Sequence, residues 1–454
     1  MFTSTNPATG EILAHYPELT AAEIETKVAA AADRFAHWRT TSLAERCALL
    51  EAVAGQYEQE KERLAAMVTR EMGKTLVSAR AEVDKCVAGF RHYARNGAAM
   101  LAPRNVPMAS GRAEVHWLPL GVILAVMPWN FPLWQAVRFL APTILAGNTA
   151  LLKHASIVQG VAGLMEEMLL AAGGPTGLFQ NLAIKSPAVG AIIADPRIAA
   201  VTLTGSEGAG AAVAEAAGRA LKKVVLELGG SDPFIVMPSA DLDAAVAAAV
   251  KARIQNTGQS CICAKRMIVH ADIHDEFVAR FATALRAVKA GDPMLATTDM
   301  GPLSSVEQRD TVVQQIAAAR AAGATLLFGG EAGPGPGAYL TAGILTGVPL
   351  DSPLRHEEIF GPIAMVFRIA DIDEAITLAN DVPFGLGSSV WSTDPAEITR
   401  FVADVAAGMT AVNQMLVSSP EAPFGGIKRS GHGRELGSYG LHEFMNLKTV
   451  FTPR

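Results

Sequence analysis

Apolar residues recur every three or four positions over residues 21–40, 43–72 and 75–100, among abundant Ala, Glu and Arg, which predicts helices there. The period then changes. Residues 113–118 alternate in the manner of a strand. Beyond them, short apolar runs at 122–127, 150–153, 179–182, 199–204 and 224–228 alternate with helical patterns at 134–146, 158–172, 187–193 and 208–220. Strand and helix in turn, joined by short polar connections, predict a parallel, doubly wound sheet. Such sheets bind ligands beyond the carboxyl ends of their strands, here the loops after Met127, Lys153, Thr204 and Glu227.

A second α/β stretch follows, with strands predicted at 234–237, 267–270, 325–328, 363–368, 388–391 and 410–413. Gly229-Gly230 marks a hinge between the halves. Residues 329–337 (GGEAGPGPG) form a surface loop, and residues 438–451 end in an alternating segment suited to join another sheet. A chain of 454 residues exceeds what one core supports, so two or more domains are expected. From Val115 to Val137 there is no Asp, Glu, Lys or Arg, a length that could span a bilayer. Pro119, Pro128, Asn130 and Pro132 interrupt it, which predicts a buried strand, a turn and a helix instead.

Half the residues are apolar and 18% are charged, the balance of a compact globular chain. A net charge of −6 without a long basic run argues against nucleic acid or an anionic membrane as partner. Four cysteines are too few for a disulfide framework, and residues 1–17 have no apolar signal core, so a reducing, cytoplasmic setting is expected. No zinc-ligand spacing occurs, so no metal is expected.

Four loops carry candidate chemistry. In T-G-S-E-G-A-G after 199–204, Gly205 and Ser206 either let a backbone approach a pyrophosphate at a helix mouth or form an ordinary turn. In L-E-L-G-G, Glu227 is either a paired strand-end carboxylate or a base raised in pKa by an apolar site. In M-P-W-N-F-P, Asn130 is a turn former or a rigid oxyanion donor. In N-T-G-Q-S-C-I-C, Cys261 sits in a polar loop better placed for reaction than a cysteine in a helix. A thiol there needs help to ionise, and no histidine is placed by sequence as its partner. Cys263 is a bystander or a resolving thiol.

Taken together, P-W-N-F-P, V-T-L-T-G-S, L-E-L-G-G, N-T-G-Q-S-C, E-E-I-F-G-P and P-F-G-G-I-K-R-S-G, in this order, resemble the NAD(P)-dependent aldehyde dehydrogenase family. Within it the chain is most similar to short bacterial succinate-semialdehyde dehydrogenases, through I-L-A-V-M-P-W-N-F-P-L-W-Q, L-L-K-H-A and G-L-H-E-F. The resemblance implies a cofactor-binding domain at 1–102 and 120–228 and a catalytic domain at 229–425. It also implies an oligomerisation segment at 103–119 and 426–454, and a homodimer or homotetramer. The chain meets N-P-A-T-G at residue 6, where many members carry further strands first, so assembly differing from theirs is expected.

The resemblance also implies roles. Cys261 is the nucleophile, Glu227 the general base, and Asn130 half of the oxyanion hole. Lys153 contacts the cofactor ribose, Gly205 and Ser206 the pyrophosphate, and Glu358 and Phe360 the nicotinamide ribose and ring. Met127, Pro128, Trp129, Leu228 and Gly229 flank the cofactor. Phe424 walls the substrate site, and an arginine matching Arg138 grips the distal carboxylate in succinate-semialdehyde enzymes; Arg138 does the same here or is a structural arginine that pairs a nearby acid. Gln414 and Ser419 are placed beside that site by their position before Phe424 alone. Many NAD-preferring members have K-P-S-E where this chain has Lys153-His154-Ala155-Ser156. Without that carboxylate to repel a 2′-phosphate, and with Ser156 to donate to it, NADP is expected to be accepted alongside or ahead of NAD. The implied reaction is oxidation of succinic semialdehyde to succinate through a cysteine thioester. Glutaric or other semialdehydes are alternatives. Acyl transfer to coenzyme A is more distant, because Glu227 is present to activate water.

Overall fold

The structure is a computed structural model that describes residues 1–349 and 351–453. Five parallel strands form its first sheet: Val122–Val126, Thr149–Lys153, Phe179–Asn181, Ile198–Thr204 and Lys223–Glu227. Numbered along the chain, they lie side by side as 3-2-1-4-5. The order reverses between Val122–Val126 and Ile198–Thr204, and a crevice opens at such a reversal beyond the strand ends. Met127 to Asn130 and Gly205-Ser206 occupy that place. The uncharged run from Val115 to Val137 resolves into the end of one strand, a second strand and the start of the buried helix Pro132–Ala146. No helix among the described residues is long and apolar enough to cross a membrane.

The second sheet has seven strands in the order Thr325–Phe328, Gly343–Thr346, Ile363–Ile369, Ala264–His270, Asp232–Val236, Gly387–Trp391 and Met409–Val412. All pairs are parallel except the first. A third sheet holds Met445–Thr452, Arg112–Pro119 and Arg104–Val106, all antiparallel.

Three features differ from the periodic reading. The helix expected over 43–72 is two helices, Leu43–Gln59 and Lys61–Met72, broken at Glu60. Tyr57 and Leu64 are both buried and lie two helical turns apart, so the apolar stripe passes the break in phase and hides it. Gly343–Thr346 is a strand too short for alternation to mark. Phe2–Thr5 and Ile12–Tyr16 pair as a hairpin, although Ile12–Tyr16 buries none of its residues fully. In addition, Gly431–His432 pairs with Glu227 and Leu226, so part of the segment expected to serve oligomerisation edges the first sheet instead.

Candidate active site

Where Val122–Val126 ends, the amide of Met127 donates to the carbonyl of Lys153 at 3.0 Å, and the chain turns through Pro128 to Pro132. Pro132 opens the helix Pro132–Ala146, a position where its missing N–H costs nothing. Glu82 accepts from the amides of Leu133 and Trp134, each at 2.9 Å, and so caps that helix from outside. Asn130 is held on three sides. Its carbonyl accepts from Asn256 Nδ2 at 2.7 Å, its Oδ1 accepts from Gln135 Nε2 at 3.0 Å, and its Nδ2 donates to the Gln259 carbonyl at 3.1 Å. An amide nitrogen has two hydrogens, so one remains to donate.

Cys261 is reached through a left-handed turn. Asn256 and Thr257 have φ of 52° and 55°, and Gly258 has 75°. A β-branched residue there is strained by roughly 1–3 kcal/mol and persists only where its surroundings fix it. Thr257 Oγ1 donates to the Gly301 carbonyl at 3.2 Å, and Gln259 Oε1 accepts from the Ser304 amide at 2.9 Å. A Cβ at Gly258 would lie 2.3 Å from the Gly361 carbonyl, so only glycine fits. Past the turn, buried Lys265 donates to the carbonyls of Ser260 and Cys261 at 2.8 and 2.7 Å and pairs with Glu358 at 2.9 Å. The Cys263 thiol is buried and donates to the Gln255 carbonyl at 3.5 Å. Burial pushes the Cys261 thiol up to about 12 against the pull of Arg138 and Lys265, so at rest it holds its proton.

Glu227 is buried at the end of Lys223–Glu227. Burial first, then the neighbouring Glu435 carboxylate, raise its pKa well above the usual carboxylate range, and Arg138 and Arg434 oppose them. Neither of its oxygens has a hydrogen-bond partner among the described residues. Its neighbour Leu228 is anchored, the amide donating to the Ser430 carbonyl at 2.9 Å, while Ser430 Oγ donates to the Gly229 carbonyl at 2.7 Å.

Two cavities meet at Cys261. The first, a cleft of about 280 Å³, has Pro128, Trp129 and Asn130 on one wall and Gly205, Ser206, Leu228 and Gly229 on another. Glu358, Phe360 and Gln308 close it. Ser206 also caps the helix Glu207–Arg219, whose amide end carries partial positive charge. The second cavity, about 60 Å³, lies between Phe131, Trp134, Arg138, Phe424 and the loop at 417–418, with Lys85 in its wall. Ser156 faces an adjoining cleft that shares Trp129 and Gln308 with the first. Met127, Lys153 and Glu227 are buried beside the first cleft but line neither cavity.

The sequence model of the aldehyde dehydrogenase family matches residues 1–450. The chain belongs to the aldehyde dehydrogenase family. Among its relatives, the succinate-semialdehyde dehydrogenase (NADP+) 1 of Mycobacterium tuberculosis is 52% identical over 449 residues, 98% of each chain. The succinate-semialdehyde dehydrogenase (NADP+) of Mycobacterium avium is 51% identical over 450 residues, 98% of this chain and 95% of its own. A crystal structure of the succinic semialdehyde dehydrogenase of Streptococcus pyogenes, in complex with NADP+ as the cofactor, superposes with a TM-score of 0.98 at 38% identity, over 100% of both chains.

Two substrate residues expected in this aldehyde dehydrogenase are corrected by the structure. Gln414 is exposed and lines neither cavity, and what Ser389 Oγ uses is its backbone carbonyl, at 2.6 Å. Ser419 turns away to Glu421, and Ser418 reaches the second cavity in its place. Arg138 does line that cavity, but it forms an ion pair with buried Glu435 and donates to Thr204 Oγ1 at 3.2 Å. Sequence reasoning missed Gln308, Gln255, Lys265 and Lys85. Each lies in a helix, turn or strand whose pattern explains it without a ligand.

Proposed function

We propose that this aldehyde dehydrogenase oxidises succinic semialdehyde to succinate, with NADP preferred as the electron acceptor. One observation carries the reading most: the Cys261 thiol stands where the cleft at the sheet's order reversal meets a small cavity with Arg138 and Lys85 in its wall. The names and cofactor of the relatives support it. So does the size of the second cavity, which holds the equivalent of about four waters and therefore suits a short chain. The cleft fits a nicotinamide dinucleotide. It lies at the sheet's order reversal, a helix amide end faces it at Ser206, and a Cβ at Gly229 would come within 2.6 Å of Glu358. Gly205 and Ser206 would hold the pyrophosphate, Glu358 and Phe360 the nicotinamide end, and Lys153 and Ser156 the adenosine ribose.

The roles of the chain's residues follow. Cys261 gives its proton to a basic acceptor and adds through sulfur to the aldehyde carbon. Asn130 Nδ2–H and the Cys261 amide hold the oxyanion that forms, and the loss of one such donor costs roughly 10²–10³ in kcat. When bound, the nicotinamide supplies the acceptor for the hydride. Glu227, once its side chain turns toward the thioester on Cys261, takes a proton from water, and the hydroxyl oxygen displaces the sulfur to release the acid. The same reading extends to assembly as a homodimer or homotetramer through the third sheet, and to a reducing cytoplasm, in keeping with four unpaired cysteines.

Initial rates with succinic semialdehyde and butanal, each with NADP and NAD, test the proposal in wild type and Cys261→Ala. The highest kcat/KM is expected for succinic semialdehyde with NADP, and no turnover in the variant. Equal kcat/KM for the two aldehydes sinks the substrate, and wild-type rates in Cys261→Ala sink the mechanism.

A further inference from the structure

We propose that Lys85, with Ser418, selects the acidic aldehyde by gripping the carboxylate at the end of the substrate remote from Cys261. The inference rests on the semialdehyde reading above and names the group that enforces it. Two cations line the second cavity, and they differ in how their charge is met. Arg138 is matched by the buried carboxylate of Glu435, and its guanidinium lies over the Phe424 ring at 4.6 Å. Lys85 has no carboxylate partner among the described residues. Its acidic neighbours are engaged elsewhere, Glu82 with Lys74 at 2.5 Å and Asp84 with Lys61 at 2.6 Å. The second cavity therefore carries about one uncompensated positive charge, and Lys85 bears it.

Hydrogen bonding gives the same answer. Lys85 Nζ donates to Ser418 Oγ at 2.5 Å, and Trp134 Nε1 donates to that oxygen at 3.0 Å. Both lone pairs of the hydroxyl are then occupied, which leaves the Ser418 hydrogen free to donate. An ammonium has three hydrogens, and Lys85 has used one. Its nitrogen sits 4.5 Å over the Trp134 ring, an attraction that holds a cation without neutralising it. Adjacent free donors and one net charge are the complement of a carboxylate. An uncharged aldehyde leaves those donors unmet, which is how a polar site rejects an analogue lacking the group. Burial, and then repulsion from Arg138, lower the ammonium to about 8, and a bound anion relieves both.

The test compares Lys85→Met, Lys85→Arg and Ser418→Ala with wild type on succinic semialdehyde and butanal, with kcat and KM resolved. In Lys85→Met the kcat/KM ratio of the acidic to the neutral aldehyde is expected to fall roughly 10- to 100-fold, chiefly through KM. Lys85→Arg should restore most of it, and Ser418→Ala should fall between. An unchanged ratio in Lys85→Met overturns the proposal. If wild type itself shows no preference for the acidic aldehyde, the substrate reading fails, and a second readout judges Lys85 separately. Succinate should slow alkylation of Cys261 by iodoacetamide in wild type and not in Lys85→Met. Equal protection in both proteins, or none in wild type, overturns the carboxylate site, and Ser418→Ala serves as the variant if Lys85→Met does not fold.

Discussion

At the scale of residues, protonation of Lys85 should be visible as a pH dependence of selectivity. Its folded pKa is lowered to about 8, so the free enzyme carries the charge below that pH and loses it above. A bound carboxylate favours the protonated form, so the preference for the acidic aldehyde should be full below about pH 8 and decline as pH rises through it, by up to tenfold per unit. The groups around Lys85 leave this signal clear. Arg138 is paired with Glu435 and buried Lys74 with Glu82, and the thiols of Cys86 and Cys261 are held well up by burial. Glu227 titrates upward from its usual range, but it serves both aldehydes and cancels in their ratio. Ratios of kcat/KM from pH 6 to 9.5 check this, and a flat profile in wild type contradicts it. The sequence motifs made Cys261 and Asn130 legible, because each depends on a short local pattern. Ser418 was missed for Ser419 because irregular backbone has no period to say which of two adjacent serines faces inward. Lys85 was invisible because it meets Ser418 across 333 residues of chain.

At the scale of elements, the helix Pro132–Ala146 presents Gln135 and Arg138, and its start is set by a buried pair. Lys74 and Glu82 are essentially unexposed and 2.5 Å apart, and the Lys74 ammonium lies 3.8 Å over the Phe131 ring. Burial lowers the Lys74 pKa even with Glu82 beside it, so desolvation outweighs the attraction and the lysine depends on its partner. Glu82→Gln keeps a carbonyl for the amides of Leu133 and Trp134 but strands the ammonium, which should cost about 3–5 kcal/mol. Asp84→Asn breaks the exposed Lys61 pair and should cost less than about 1 kcal/mol. Denaturant unfolding of the two variants checks the contrast, and equal midpoints would remove the pair from the support of the helix. The alternating strand and helix pattern was legible because both sides of the first sheet are covered, which forces near-continuous apolar strands. The left-handed turn at Asn256 to Gly258 was not, since it depends on Gly361, Gly301 and Ser304, all remote in sequence.

At the scale of the whole molecule, the third sheet is rooted firmly and ends bare. Asn148, just before the first sheet's strand Thr149–Lys153, donates through Nδ2 to the Phe444 carbonyl at 2.8 Å and ties the base of Met445–Thr452 to that sheet, while Trp117 of the third sheet stacks on His442 of the preceding helix with ring centroids 3.6 Å apart. Beyond that base the strand pairs, among the described residues, only with Arg112–Pro119 and has no partner on its outer edge. Leu447 and Phe451, four residues apart and thus on one face, are 51% and 68% exposed. An open eight-residue edge with an apolar row is a surface that proteins cover, and the alternation of 438–451 already marked it as sheet-forming. A second copy of this chain is the expected cover, through edge pairing or face packing of the same strand. The double variant Leu447→Asp, Phe451→Asp places charge on that row without touching either cavity. Light scattering should give wild type a mass of two or four chains and the variant a smaller assembly, with alkylation of Cys261 still saturable by succinic semialdehyde as a sign that each subunit is folded. A wild-type mass of one chain, or a variant that assembles as wild type does, would show that this strand is not where copies meet.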